Sequence, residues 1–590
     1  MSNKHKKGLF IIVGLALLIS VAAYSLLMFV SPAALLTYFH ISFNSPDKIN
    51  SLILKQVKYL IVIFSCALLV NWLYYSPYYF KIQQFLKRLL HNISTYLNPT
   101  LLFILSVLYL LVLFLIAIMH YDLGYDEAWY LHWSKNFSYT GIAFYTTDGK
   151  ISIIDTITML PYYLLTPFLF WLGANEVWQF KAFCTSLSIL SLVSMFIFVK
   201  KIWGKVTAVF ALLFLILQPG FAFISTSFFG ELFQLLFLLG GTYYWLVKEN
   251  PNSDKKLFIA GLLFSLAIHT KFQLLIILVL VFFIFSFLSK NSGTKKILLY
   301  TVLFTLVIGI LRLLPVLFAD PKSIRYLLIM DWVSGSSITQ SLSFTAFEKM
   351  QLFNRFFPIT LFCIIILSSF VYLKKPVEKF LTVYSLIAVL WWIFLFPYST
   401  YRHPFIGIIT LCILAAILSV NLYSKIVETK KLAALPLKYL TASAVFLLMS
   451  YGFSANLIYA YIGYNDGVQF DLDGFRNRLF SPIQHDNSQK EFYSQLKKSV
   501  NESDTLYNAS FVTRFYLNNP VYTVNSMYKD FDSPHEVNSP EKLLLITREN
   551  YPLGFEKIYK ELDSLNYKRR LIIKIGNNEL YGITKQTNLR

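Results

Sequence analysis

Charge is what this sequence has least of. Only 14% of its 590 residues are charged, against about 25% in soluble globular proteins, which excludes an ordinary soluble domain. Acids are scarcer than bases, 31 Asp and Glu to 52 Lys and Arg. Cysteine is nearly absent: Cys66, Cys184, Cys363 and Cys412 each sit inside an apolar run with no shared spacing. That excludes a disulfide framework and a cysteine metal site, and leaves four small apolar residues. Zinc, Walker and dinucleotide signatures are missing, as are internal repeats and low-complexity tracts.

Apolar sequence fills the space. Hydrophobic residues make up 56% of the chain, and the runs Gly8–Val30, Thr100–His120 and Phe272–Leu288 approach the roughly 20 residues that cross a bilayer. The net charge of +21 comes from basic clusters in short loops, such as Lys200/Lys201/Lys205, Lys248/Lys255/Lys256, Lys290/Lys295/Lys296 and Lys374/Lys375/Lys379. These alternate with acidic or neutral loops, the pattern of positively charged cytoplasmic loops. The basic balance therefore reports topology and not a nucleic-acid partner. The N-terminal apolar run is too long for the core of a signal peptide and lacks a clean cleavage site, so it reads as an uncleaved first span.

Taken in order, the chain predicts two spans at about 8–30 and 52–75 and a basic amphipathic segment at 76–98 on the cytoplasmic surface. A third span, about 100–120, leads to an acidic outside loop, 121–158. Residues 151–172, broken by Pro161 and Pro167, read as an interfacial or re-entrant helix. Further spans are expected near 178–199, 206–226, 230–247, 257–270, 272–289, 297–317, 356–373, 380–397, 404–422 and 438–460, with a long outside loop at 318–355. The fold class is an all-α polytopic membrane protein of about 13 transmembrane helices. It carries a small α/β domain over 461–590, for which Leu543–Thr547 and Arg570–Ile575 supply strand candidates. Three regions result: 1–98 with the first two spans and the amphipathic segment, 99–460 with the remaining spans and loops, and the polar 461–590.

The outside loop holds an adjacent acid pair, Asp126-Glu127, among aromatics. Carboxylates there can take a proton from an attacking hydroxyl, or they can simply start a helix. Lys271 interrupts two apolar runs, the first about 21 Å long as a helix. It either faces a cavity as an anion-binding cation or reaches to the headgroups. Glu231 in SFFGELFQ reads as a second site acid or an acid at a helix start. Arg402 and His403 open a span, where Arg402 offers a fork of donors matching a phosphate or an interface anchor. Arg312 is a lesser candidate for the same task. His120 and His132 flank the acid pair but read as isolated interface residues.

Several of these stretches share a resemblance. Tyr125-Asp126-Glu127-Ala128-Trp129-Tyr130 resembles the Asp-Glu motif in the first outside loop of GT-C glycosyltransferases, specifically the protein O-mannosyltransferase and lipid A aminoarabinose transferase superfamily. LPYYLLTPFLFWLGANEVWQFKAFCTSLSIL, Gly261–Lys271 and STYRHPFIGIITLCILAA are similar to later stretches of that family, in the same order, so the resemblance spans about 100–460. Where the family often has an acid, Lys and Pro, this chain has Ile154-Asp155-Thr156-Ile157, with Asp155 in the acid's place and no Lys beside it.

The resemblance implies a GT-C bundle and transfer of a sugar from a polyprenyl-phosphate donor to a hydroxyl on a lipid, glycan or protein, on the non-cytoplasmic side. A composition rich in Asn, Lys, Phe and Tyr points to a bacterium, which would make that the periplasmic side of an inner membrane. Asp126 would be the base and Glu127 its partner. Lys271, Arg402, Glu231 and Asp155 would serve the donor. No organic cofactor is implied, and a divalent cation is left open. Two rival classes are a lipid-linked sugar flippase, which would favour repeated halves, and a non-catalytic membrane scaffold.

Overall fold

A computed structural model describes most of residues 160–319, 357–395, 403–428, 488–500 and 567–585, with isolated residues or short stretches at 18, 57–134, 346–353 and 506–563. The spans proposed at 8–30 and 438–460 lie almost entirely outside the described residues. So does nearly all of both long outside loops. Of the amphipathic segment, Lys81, Gln84 and Arg88 are helical.

The described chain is mostly helical. In order it forms α1 (Leu160–Trp171), α2 (Val177–Trp203), α3 (Lys205–Ile216), α4 (Phe221–Thr226), α5 (Phe233–Thr242) running into a π-helical turn (Tyr243–Val247), α6 (Asp254–Thr270) and α7 (Gln273–Leu288). It continues with α8 (Thr294–Ala319), α9 (Ile359–Tyr372), α10 (Pro376–Phe394), α11 (Phe405–Glu428) and α12 (Ser488–Ser499). Among the described residues, Val177–Trp203, Thr294–Arg312 and Pro376–Phe394 are each long and apolar enough to cross a membrane, and five shorter apolar helices accompany them. The helices fall on the apolar runs because a segment without water must satisfy its backbone internally. The count of about 13 spans is an expectation that these residues do not complete.

Breaks between helices follow local chemistry. Gly173 (φ 86°) ends α1: its N–H bonds Phe170 O and that of Ala174 bonds Leu169 O, the Schellman arrangement that needs a left-handed residue. Pro376 opens α10, where its missing N–H costs nothing.

The helices share a polarity. At one end, Trp203 Nε1 donates to Glu378 Oε1 at 2.7 Å, and the Lys201 ammonium stands 4.7 Å from the Tyr243 ring centroid. At the same end Lys296 pairs with Asp254 at 2.7 Å. The C-termini of α2 and the π-helical turn and the N-termini of α6, α8 and α10 therefore collect in one basic layer. The N-termini of α2, α5, α7 and α11 and the C-terminus of α6 lie at the other, acidic end.

Between the layers, fully buried Trp245 is ringed edge-on by Phe264, Phe282, Phe285 and Phe380, with centroids 5.2–6.3 Å away. Edge-to-face pairs of this kind add to the burial of their area. α6 and α8 run parallel and touch at Gly261, where a Cβ would lie 2.5 Å from Tyr300 Cβ. The outer face of α8 leaves Leu299, Leu303, Leu306 and Ile310 at least half exposed, which suits a lipid-facing stripe.

The polar tail forms a five-stranded sheet ordered β2-β1-β3-β5-β4, from β1 (Leu506–Tyr507), β2 (Thr523–Val524), β3 (Lys542–Ile546), β4 (Tyr567–Ile575) and β5 (Asn578–Lys585). β1 pairs in parallel with β2 and β3, and the others pair antiparallel. β4 and β5 form a hairpin in which Ile575 pairs with Asn578 and Gly576 takes φ 55°, a left-handed conformation that suits a tight hairpin turn. One apolar cluster joins Phe492, Tyr493 and Leu496 of α12, Ile573 and Leu580 of the sheet, Phe180 and Cys184 of α2, and Ala128 and Leu131 of the acidic loop. The C-terminal domain is thus seated at the acidic end of the bundle.

Candidate active site

Glu127, Ala128, Tyr130, Leu131 and Ser134 are helical and buried. The Ser134 hydroxyl donates to Tyr130 O at 2.9 Å. Glu127, 1% exposed, receives the Lys181 ammonium on both carboxylate oxygens, at 3.1 and 3.4 Å. Lys181 projects from α2 one turn below a capping box in which the Glu176 N–H donates to Gln179 Oε1 at 2.9 Å. Outside that turn, Glu176 pairs with Lys490 of α12 at 2.8 Å, both side chains exposed.

A second pair lies across the same end. Lys271 caps α6 in an extended conformation, and its backbone turns the chain into α7 through the bond from Leu274 N–H to Lys271 O, 2.9 Å. Its ammonium is 2.7 Å from Glu231 Oε1, with the side chains 3% and 0% exposed. The approach is off the hydrogen-bonding direction. Neither Glu231 carboxylate oxygen accepts a hydrogen bond among the described residues, so the contact is Coulombic in character. Such a carboxylate retains capacity for a further donor, and burying it unpaired would be costly.

Beside this pair, Gln273 Nε2 and His403 Nδ1 approach to 3.5 Å, linking the start of α7 to the turn before α11. His269, two residues before Lys271 in the last turn of α6, has Nε2 3.1 Å from Thr305 O of α8. Two buried carboxylate–lysine pairs, an amide and an imidazole thus occupy the acidic end, where the helices leave their termini.

Of the residues singled out from sequence, Glu127, Glu231 and Lys271 are buried at this end, and His403 is with them. Asp126, Asp155 and Arg402 lie outside the described residues, although Asp126 directly precedes Glu127 and Arg402 directly precedes His403 in the chain. Arg312 is half-buried in α8. Sequence reasoning missed Lys181. The signal was present: a lysine inside the apolar VWQFKAFCTSL, the same reason that drew attention to Lys271. Among the described residues, no three His, Cys, Asp or Glu side chains gather as metal ligands.

Residues 102–326 match the family model of the Alg9-like mannosyltransferases. Among solved structures, ArnT from Cupriavidus metallidurans superposes with a TM-score of 0.54 bound to undecaprenyl phosphate and 0.55 in the apo state. Both alignments show 13% identity and cover 82% of this chain and 97% of ArnT. The fold is of the GT-C type. The oligosaccharyltransferase of Archaeoglobus fulgidus, with Zn and sulfate, aligns with a TM-score of 0.42 at 14% identity, over 74% of this chain and 59% of its own. No curated protein matches the sequence. Family model and fold together support a GT-C glycosyltransferase in a membrane, and the matched segment contains Glu127, Lys181, Glu231 and Lys271.

Proposed function

We propose that this chain transfers a sugar from a polyprenyl-phosphate carrier to a hydroxyl on a lipid, glycan or protein acceptor, at the membrane face opposite the basic layer, which positive-inside topology makes the periplasmic face. The observation that carries the reading is the Glu231–Lys271 pair, buried at a helix break on the acidic end of a GT-C bundle. A cation placed at such a break, inside an apolar bundle, is suited to meeting the anionic phosphate of a donor. The ArnT comparison, a structure with undecaprenyl phosphate bound, suggests what that anion is.

In this reading Asp126 is the base. Glu127 is engaged by Lys181, which divides the acid pair into a reacting and a supporting member. The acceptor oxygen attacks the anomeric carbon and its proton passes to the Asp126 carboxylate. The bond from that carbon to the phosphate oxygen breaks with inversion, and the lipid phosphate departs as an anion. Lys271 and Arg402 stabilise the charge that develops on it, with Glu231 orienting Lys271 and Asp155 serving the donor. The test offers purified protein in detergent a panel of radiolabelled sugars on undecaprenyl phosphate and on nucleotides, with membrane extract as acceptor. Transfer from a lipid donor, lost in Lys271→Met, is expected. Transfer from nucleotide sugars alone would overturn the reading.

A further inference from the structure

We infer that Lys181 is the positioning residue of the acidic loop: by holding Glu127, it fixes where the preceding residue, Asp126, presents its carboxylate. The inference rests on the reading of Asp126 as the base. Four features of the structure carry it.

The contact is long-range in sequence, 54 residues apart, and grips both oxygens of Glu127. Two contacts from one ammonium define the carboxylate's position better than one. Lys181 stands on α2, the longest described helix, whose first turn is itself fixed by the capping box and by Lys490. The neighbours of Lys181 on α2, Phe180 and Cys184, pack in the same cluster as Ala128 and Leu131, so the loop helix meets α2 along a strip with the ion pair at its edge. Finally, both partners are almost wholly withdrawn from solvent, 3% and 2% exposed. A buried pair offers little net stability over a well-packed apolar pair, because desolvation offsets the attraction. Its return is a fixed geometry, and what that geometry fixes is the residue next to Asp126.

Hydrogen–deuterium exchange of residues 121–134 in the purified full-length protein, without any donor, reads the loop directly, and transfer kinetics read the consequence. Lys181→Met is expected to raise exchange in that peptide about a hundredfold, as loss of one partner of a buried pair would. It should lower kcat on the order of a hundredfold while leaving the donor KM nearly unchanged. Lys181→Arg should recover most of both. Because Lys181→Met removes the counter-ion of a buried carboxylate and can compromise folding, the double variant Lys181→Met/Glu127→Leu decides: it should melt like the wild type yet keep the fast exchange and the low kcat. A double variant, or a folded Lys181→Met, with wild-type exchange and kcat would overturn the inference. Exchange needs no donor, so failure to find any transfer would count against the proposed reaction and leave the test of Lys181 intact.

Discussion

Lys271, at the break between α6 and α7, and Glu231, in the turn before α5, lie 2.7 Å apart and shielded from solvent, although 40 residues separate them. Each alone is an ionised group in an apolar bundle. Together they are tolerable, and removing either takes the close counter-ion from a buried charge. Glu231→Gln and Lys271→Met should each cost about 3–5 kcal/mol, and the double variant should regain most of it. Thermal unfolding in detergent of the three proteins checks this. A double variant whose loss equals the sum of the two single losses would show the pair to be uncoupled.

α6, the helix that Lys271 caps, approaches α8 closely at Gly261. A methyl at Gly261 would collide with Tyr300 Cβ and press on the Thr301 backbone N. Neither can swing away as a flexible tip would, so Gly261→Ala should destabilise by about 1–3 kcal/mol. A melting temperature equal to the wild type would show that the helices separate freely.

The seat of the C-terminal domain on the acidic loop should depend on apolar packing far more than on its ion pair. Phe492 and Leu496 are wholly buried in the shared cluster, and truncating Phe492 to Ala should cost about 3–5 kcal/mol. Lys490→Ala breaks an exposed bridge and should cost no more than about 1 kcal/mol. Limited proteolysis between the bundle and the domain, compared across both variants, checks the order.

Acid should loosen the same domain. Burial pushes the Glu579 carboxyl up, but the hydrogen bonds from Lys574, Tyr559 and Tyr581 together outweigh it and hold the group below its ordinary value. Lys574 Nζ lies 2.7 Å from Oε1 and the Tyr581 hydroxyl 2.9 Å from Oε2. A depressed carboxyl contributes stability that is present above its unfolded pKa, about 4.3, and is lost as pH falls through the lower folded value. The domain should therefore begin to lose stability below about pH 4, and Glu579→Gln should flatten that part of the profile. An unchanged acid limb in Glu579→Gln would contradict the assignment.

Much of this architecture was legible beforehand, for physical reasons. A helix in an apolar setting must be apolar throughout, so the runs named near 178–199, 272–289 and 404–422 stand where α2, α7 and α11 are found. The break at Lys271 was legible because a cation among apolar residues has few places to go. The sheet was half legible. Arg570–Ile575 announced a strand, but its partner β5, NELYGITK, alternates weakly, and only the Gly576-Asn577 turn marked the hairpin. Lys181 went unread because a single charge within a long apolar helix looks like an imperfection until its partner, 54 residues earlier, is seen against it. Pairings across such distances are set by packing, which local pattern does not encode.

The central claim is that the loop acid Asp126 performs proton transfer while Glu127 supports it. The most direct measurement compares wild type, Asp126→Asn and Glu127→Gln for transfer of labelled sugar from undecaprenyl phosphate, with donor binding measured in parallel. Asp126→Asn should bind donor as the wild type does and transfer roughly a thousandfold more slowly. Glu127→Gln should be impaired chiefly through a less ordered loop. An Asp126→Asn protein that transfers at the wild-type rate would contradict the account.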